Sequence, residues 1–146
     1  MQRTFHKGLS RRLINAVMSA TIKRGMGPSQ RYLLTVVGRK TKTPHTTPVS
    51  LVIEGPTRYL VGPYGEVAWV RNARAAGVVT LARGSESERF ALAELSAPEA
   101  GPILGRYLKL EPITRPYFDV SADASPEALE GQVAGHPVFR LTPAAT

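Results

Sequence analysis

Glycine and proline divide this chain into pieces that exclude a doubly wound α/β fold. The β-rich runs at 31–37, 46–53 and 58–62 are separated only by the residues of 38–44 and by Glu54-Gly55-Pro56-Thr57. Parallel strands need a crossover of roughly a dozen residues or more, so neighbours this close pair antiparallel. Pro63-Tyr64-Gly65-Glu66 ends the third run. Residues 67–76 then show helical spacing at Val67, Val70 and Ala73 or Arg74, with Gly77 suited to the C-cap. A hairpin follows, 78–82 with 89–95 across the polar Gly84-Ser85-Glu86-Ser87-Glu88. A helix opens at Ser96 or Pro98 and reaches Leu108, and a last strand occupies 137–141. Residues 111–135 carry several prolines and a brief helical stretch after Ser125-Pro126-Glu127, without a clear period. About six strands and three helices in this order predict a mainly β fold with peripheral helices, a small closed or split barrel.

At 146 residues the chain reads as one domain, 1–146, with 1–27 a basic amphipathic N-terminal helix. Its apolar positions are Leu9, Leu13, Ile14, Val17, Met18 and Ile22, and Gly25-Met26-Gly27-Pro28 stops it. The net charge of +8 is lopsided: ten basic residues and no acidic one precede Glu54, while the remainder has nine basic against all eleven acidic. Such a field attracts phosphate on a coenzyme, a nucleic acid or an anionic membrane. No run is long enough to cross a bilayer and the start does not read as a secretory signal, so the expected location is cytoplasmic. The helix either covers the barrel or touches the inner face of the membrane peripherally.

Absent chemistry narrows the field. Without cysteine there are no disulfides, thiol nucleophiles or thiolate metal sites. His6, His45 and His136 lie far apart with no adjoining carboxylate pattern, which argues against a metal. Neither the glycine-rich dinucleotide turn nor the nucleotide-binding P-loop is present.

Two segments remain. Gly38-Arg39-Lys40-Thr41-Lys42-Thr43-Pro44-His45-Thr46-Thr47-Pro48 gathers cations, hydroxyls and a tight backbone between two strands, a composition suited to phosphate, although a solvated hairpin would look the same. In Trp69-Val70-Arg71-Asn72 the indole and the amide are three residues apart and share a helix face. They can flank one ligand, or the tryptophan can anchor the helix in the core.

Together, the Gly-Arg-Lys-Thr turn, the Thr-Pro entering the next strand, the Trp-x-x-Asn helix after the third strand and the Arg-Asn-x-Arg-Ala-Ala-Gly run from Arg71 to Gly77 resemble the deazaflavin-dependent nitroreductase family, the coenzyme F420-dependent quinone reductases. The ordered resemblance covers residues 31–84. It implies a split β-barrel similar to the flavin-reductase and pyridoxamine-phosphate-oxidase folds, with the coenzyme in a groove. By motif match, Arg39, Lys40 and Thr41 would hold the anionic tail, with His45 beside them, and Thr46, Thr47, Pro48 and Val49 would line the ring through backbone amides. Val61, Gly62, Pro63 and Tyr64 and the helix start, Ala68, Trp69, Val70, Arg71 and Asn72, would complete the groove.

Three positions depart from the family pattern. Lys42 replaces a usual glycine, His45 a permanent cation, and Pro63-Tyr64-Gly65-Glu66 a longer Ser-Gly-Gly loop. The activity implied is hydride transfer from reduced coenzyme to an electron-poor small molecule such as a quinone, a nitroaromatic or an activated alkene, with Tyr32 and Tyr64 as candidate donors to the acceptor. Flavin mononucleotide is the alternative cofactor. A nucleic-acid-binding barrel is the alternative function, but Phe5, Tyr32 and Tyr59 are too scattered to interleave with the cations as stacking platforms, so no nucleic acid is expected.

Overall fold

The computed structural model describes residues 9–144. Six antiparallel strands, β1 (Arg31–Val37), β2 (Pro44–Glu54), β3 (Thr57–Val61), β4 (Val78–Arg83), β5 (Glu86–Glu94) and β6 (Val138–Pro143), close into a barrel in the order β1-β2-β3-β6-β5-β4. The hairpins β1/β2, β2/β3 and β4/β5 are those the turn residues predict. Closure comes from three pairings that no local signal specifies: β1 with β4, β3 with β6 and β5 with β6.

Alternation along the strands makes two cores. Leu34, Val36, Leu51, Leu60, Val79, Leu81, Phe90, Phe139 and Leu141 fill the barrel. Helix α2 (Ala68–Ala76) adds Val70 and Ala73 to this interior and so plugs one end. Val52, Val61 and Val138, from the opposite faces of their strands, join a second core beneath α3 (Ala97–Leu110). Helix α3 starts where Pro98 fits a first turn, and Glu99 accepts from the backbone N–H of Ser96 at 3.3 Å and from its hydroxyl at 2.9 Å. Those bonds to Ser96 hold the Glu99 carboxyl below the usual carboxylate range.

Strands β2 and β5 begin well before the residues the sequence predicts. β2 begins at Pro44 because His45 and Pro44 still pair with Val36 and Val37, and β5 begins at Glu86, which leaves Gly84-Ser85 as the whole turn. The illegible stretch holds a 3-10 helix (Pro112–Tyr117) and a short helix α4 (Pro126–Glu130). Helix α4 lies close on α3 because a Cβ at Gly101 or Gly105 would come within 3.1 Å of Glu130 or Leu129. This packing of two glycines four apart carries no helical or strand period, hence its invisibility in the sequence.

Helix α1 (Leu9–Lys23) covers the barrel only at its C-terminal end. Ile22 is buried, whereas Leu13 and Val17 are 67% and 61% exposed. Its exit is held by one arginine. The Arg83 guanidinium donates to the carbonyls of Gly25 (3.2 Å), Gly27 (2.8 Å), Pro28 (3.0 Å) and Arg31 (2.9 Å), while Gly84 N–H donates to Ile22 O at 3.0 Å. Four carbonyls on one planar fork cannot be reproduced by a single ammonium. Arg83→Met is expected to lower unfolding stability by about 2 kcal/mol, read as a lower denaturant midpoint at constant m, and to speed amide exchange in α1 more than in the barrel. Arg83→Lys should recover only part of that loss.

Candidate functional site

The loop between β1 and β2 is built tightly. Gly38 N–H donates to Thr43 O at 2.9 Å, Lys42 N–H to Gly38 O at 3.0 Å and Thr43 N–H to the Thr41 hydroxyl at 3.2 Å. A Cβ at Gly38 would lie 2.7 Å from Thr41 Oγ1 and 3.1 Å from His45 Nε2, so a larger residue would displace these two side chains. Lys42, at the position where the family pattern has glycine, takes a left-handed φ of 60°, alone among the described non-glycine residues. Within this curl the backbone N–H groups of Lys40 and Thr41 donate to no described protein group, and the side chains of Lys40 and Thr41 are exposed. Neither Arg39, Lys40 nor Lys42 forms an ion pair among the described residues. Free amides and cations without ion pairs on one short curl are a composition suited to an anion.

The two sequence motifs meet in a single atom. Asn72 is 5% exposed, and its Oδ1 accepts the Arg39 backbone N–H at 3.1 Å and the Arg39 Nη1 at 2.8 Å. Val70 and Ala73, buried in the barrel, hold α2 in place for this contact, and Trp69 packs half-buried against the same core. Trp69 therefore anchors the helix in part, whereas Ala68 and Arg71 are exposed.

Strand β2 supplies the second wall. It pairs with β1 along its whole first half, but with β3 only at 51–54. Residues 44–50 thus have an edge without a strand partner among the described residues. Leu51 N–H donates to Gln30 O at 2.9 Å, and antiparallel alternation then turns the amides of His45, Thr47 and Val49 toward β1 and those of Thr46 and Ser50 toward the open edge. Pro48 shares that outward parity, where its missing N–H breaks no ladder bond. Side chains divide likewise: Val49 packs on the barrel core, while the Thr46 hydroxyl bonds to the Thr35 hydroxyl at 2.8 Å. The predicted lining run 46–49 is therefore split between two faces.

The other expected residues are not all brought to one surface. Val61 and Val70 are buried in the cores and Gly62 and Pro63 are buried beside them, so they support a wall without presenting side chains to it. Tyr64 packs edge-on against Tyr117, ring centroids 4.8 Å apart, on the α3 side. Tyr32 packs on the barrel core, with Arg58 5.6 Å from its ring. The two tyrosines do not converge.

One positioning group escaped the sequence reading. Arg74, on α2, bonds Glu94 at 2.9 Å through both Nε and Nη2, and also bonds Glu66 in the turn after β3. These carboxylates raise the guanidinium pKa, and the Arg74 hydrogen bond, with its charge, holds the Glu66 carboxyl below the usual carboxylate range. Because this carboxyl is depressed in the folded state, its hold on α2 is complete above the unfolded carboxylate pKa and fades as pH falls through the folded value. Arg74→Gln should move the Glu66 titration midpoint upward in a side-chain NMR titration; an unmoved midpoint would mean that the pair does not exist in solution. Asn72→Leu leaves the Arg39 amide without an acceptor and is expected to cost about 2 kcal/mol, with Asn72→Asp retaining most of it.

Comparison with known proteins places this geometry. The family model described as F420H(2)-dependent quinone reductase matches residues 10–111. No match to a curated protein was found. Among solved structures, the chain is similar to an F420-H2 dependent reductase (18% identity, 77% of this chain and 94% of that one, TM-score 0.55). It is likewise similar to a pyridoxamine 5′-phosphate oxidase-like protein from Listeria innocua (14%, 94% and 95%, 0.53) and to a FAD-binding protein from Mesorhizobium loti (11%, 89% and 89%, 0.51). These likenesses establish the split-barrel fold. The family match covers well over half of the chain, which therefore belongs to the F420H2-dependent quinone reductase family and is an oxidoreductase that uses coenzyme F420.

Proposed function

We propose that this reductase transfers a hydride from reduced deazaflavin to a flat, electron-poor acceptor, a quinone first and a nitroaromatic or activated alkene by the same chemistry. The bond from Arg39 to Asn72 carries the reading, because it fixes a loop of unpaired donors beside the open edge of β2.

The residues fit an anionic, planar coenzyme. Arg39, Lys40 and Thr41, with the free amides of Lys40 and Thr41, would hold its phosphate and acidic tail. The Thr46 amide on the open edge would meet the polar rim of its ring, with Pro48 against the ring face. Trp69 and Asn72 would close the groove from α2. When bound, the coenzyme supplies the hydride. The chain supplies position, charge complementarity and exclusion of water, and none of its side chains needs to act as a nucleophile.

Titration with the deazaflavin coenzyme and, in parallel, with flavin mononucleotide tests the assignment. Tight binding is expected for the deazaflavin. The double substitution Arg39→Ala with Lys40→Ala should weaken it by about a hundredfold, two charge-assisted contacts at roughly 1.5 kcal/mol each. Flavin mononucleotide binding alone, or a deazaflavin affinity untouched by the double substitution, would overturn the assignment.

A further inference from the structure

We infer that Lys42 binds an anionic group beyond the coenzyme's phosphate, so that this chain favours deazaflavins whose tails carry several carboxylates. The inference rests on the coenzyme assignment proposed above and gives that site a preference for tail length.

The backbone at Lys42 is the starting point. Its φ of 60° lies in the left-handed region, which glycine enters freely and a long side chain enters at a cost, because its Cβ crowds the following carbonyl oxygen. The curl leaves it no other path. Lys42 N–H donates to Gly38 O at 3.0 Å, Gly38 N–H to Thr43 O at 2.9 Å and Thr43 N–H to Thr41 Oγ1 at 3.2 Å, so the residue is pinned from both sides. Glycine or asparagine makes such a turn with less strain. What lysine adds to the turn is a positive charge on a flexible stem.

Among the described residues the fold makes no use of that charge, since Lys42 is exposed and in no ion pair. No acidic residue precedes Glu54 in the sequence, so its neighbours along the chain add to the positive field rather than cancel it. A strained conformation that persists without stabilising its surroundings points to a ligand.

The cations of the loop differ in freedom, and this difference identifies the ligand group. Arg39 is half-buried and tied to Asn72 Oδ1 through its backbone N–H and its Nη1, so it serves one fixed point at the base of the curl. The free amides of Lys40 and Thr41 come next. A phosphate seated on Arg39 and these amides occupies the base. Lys42 follows at the exposed rim, where a mobile ammonium meets the next negative group along the bound molecule. A compact anion has no such group, whereas a tail of several carboxylates does.

Two coenzyme probes test this by calorimetric titration of the full-length protein at low salt: deazaflavin with several tail carboxylates, and deazaflavin trimmed to its phosphate and a single carboxylate. Lys42→Gly should weaken the long-tailed probe about threefold to fivefold, the worth of one exposed charge pair, and leave the trimmed probe within about 1.5-fold. Lys42→Asn should behave like Lys42→Gly, and Lys42→Arg like the wild type. The loss should vanish at about 0.5 M salt, where screening shortens to roughly 4 Å. Lys42→Gly should also raise the denaturant midpoint at unchanged m, because the strain at this φ is relieved. Equal losses for both probes, no loss for either, or a loss that Lys42→Arg shares would overturn the inference. So would a lower midpoint in Lys42→Gly, because lysine would then serve the fold. A wild-type protein that binds neither probe would overturn the coenzyme assignment instead, whereas a wild type that binds both lets the variants judge Lys42 alone.

Discussion

The site depends on one buried amide oxygen. Asn72 Oδ1 accepts a backbone N–H and a guanidinium from the same residue, Arg39, so it fixes both the path of the loop and the direction of its first cation. Neither donor has another described protein acceptor, and an unsatisfied amide at this depth would cost about as much as a whole hydrogen bond contributes. The rest of the neighbourhood holds that oxygen in place. Val70 and Ala73 sink α2 into the barrel mouth, Arg74 ties the helix to Glu94 and Glu66, and Gly38 lets the loop close without a clash.

Strand β2 does two jobs with its two halves. Residues 51–54 are paired on both sides, and Leu51 and Val52 feed the two cores. Residues 44–50 have an open edge, ordinarily a liability because unpaired strand amides recruit other strands. Pro44 and Pro48 limit the danger, since a proline on the open side removes a donor while costing the ladder nothing. The same device leaves few outward amides, that of Thr46 on exposed backbone and that of Ser50 in a buried residue.

Much of this was legible in the sequence, and the exceptions have physical reasons. Short period-2 runs with glycine and proline between them disclosed all six strands, and the spacing of Val67, Val70 and Ala73 before Gly77 disclosed the helix that plugs the barrel. The closing pairs of β6 with β3 and β5 join residues about fifty to eighty positions apart, for which no local pattern exists. Residues 112–135 were opaque because they pack through Gly101 and Gly105 and through buried His136, stacked on Phe118 with ring nitrogens 2.8 Å from Tyr117 O and 3.0 Å from Gln132 O. The motif match brought the loop and α2 together correctly. It did not reveal that 46–49 would divide between faces, since a strand alternates whatever its motif suggests. Nor did it separate Tyr32, packed on the barrel core, from Tyr64 on the outside.

The net charge of +8 invites a single electrostatic explanation, and the structure dissolves it. Of the ten basic residues before Glu54, Arg31 is neutralised by Glu111, and Arg12, Lys23 and Arg24 lie exposed on or just after α1. Arg39, Lys40 and Lys42 stand at the far end of β1, seven residues and therefore roughly 20 Å from the α1 exit. That distance exceeds the screening length of about 8 Å at physiological salt, so the two groups act as separate fields. The loop cluster is small, backed by free amides and tied to Asn72. The α1 cations border an apolar groove whose own arginine is already paired. A composition that attracts polyanions in general therefore resolves into one compact cluster on the β1–β2 loop and a separate set of exposed cations around α1.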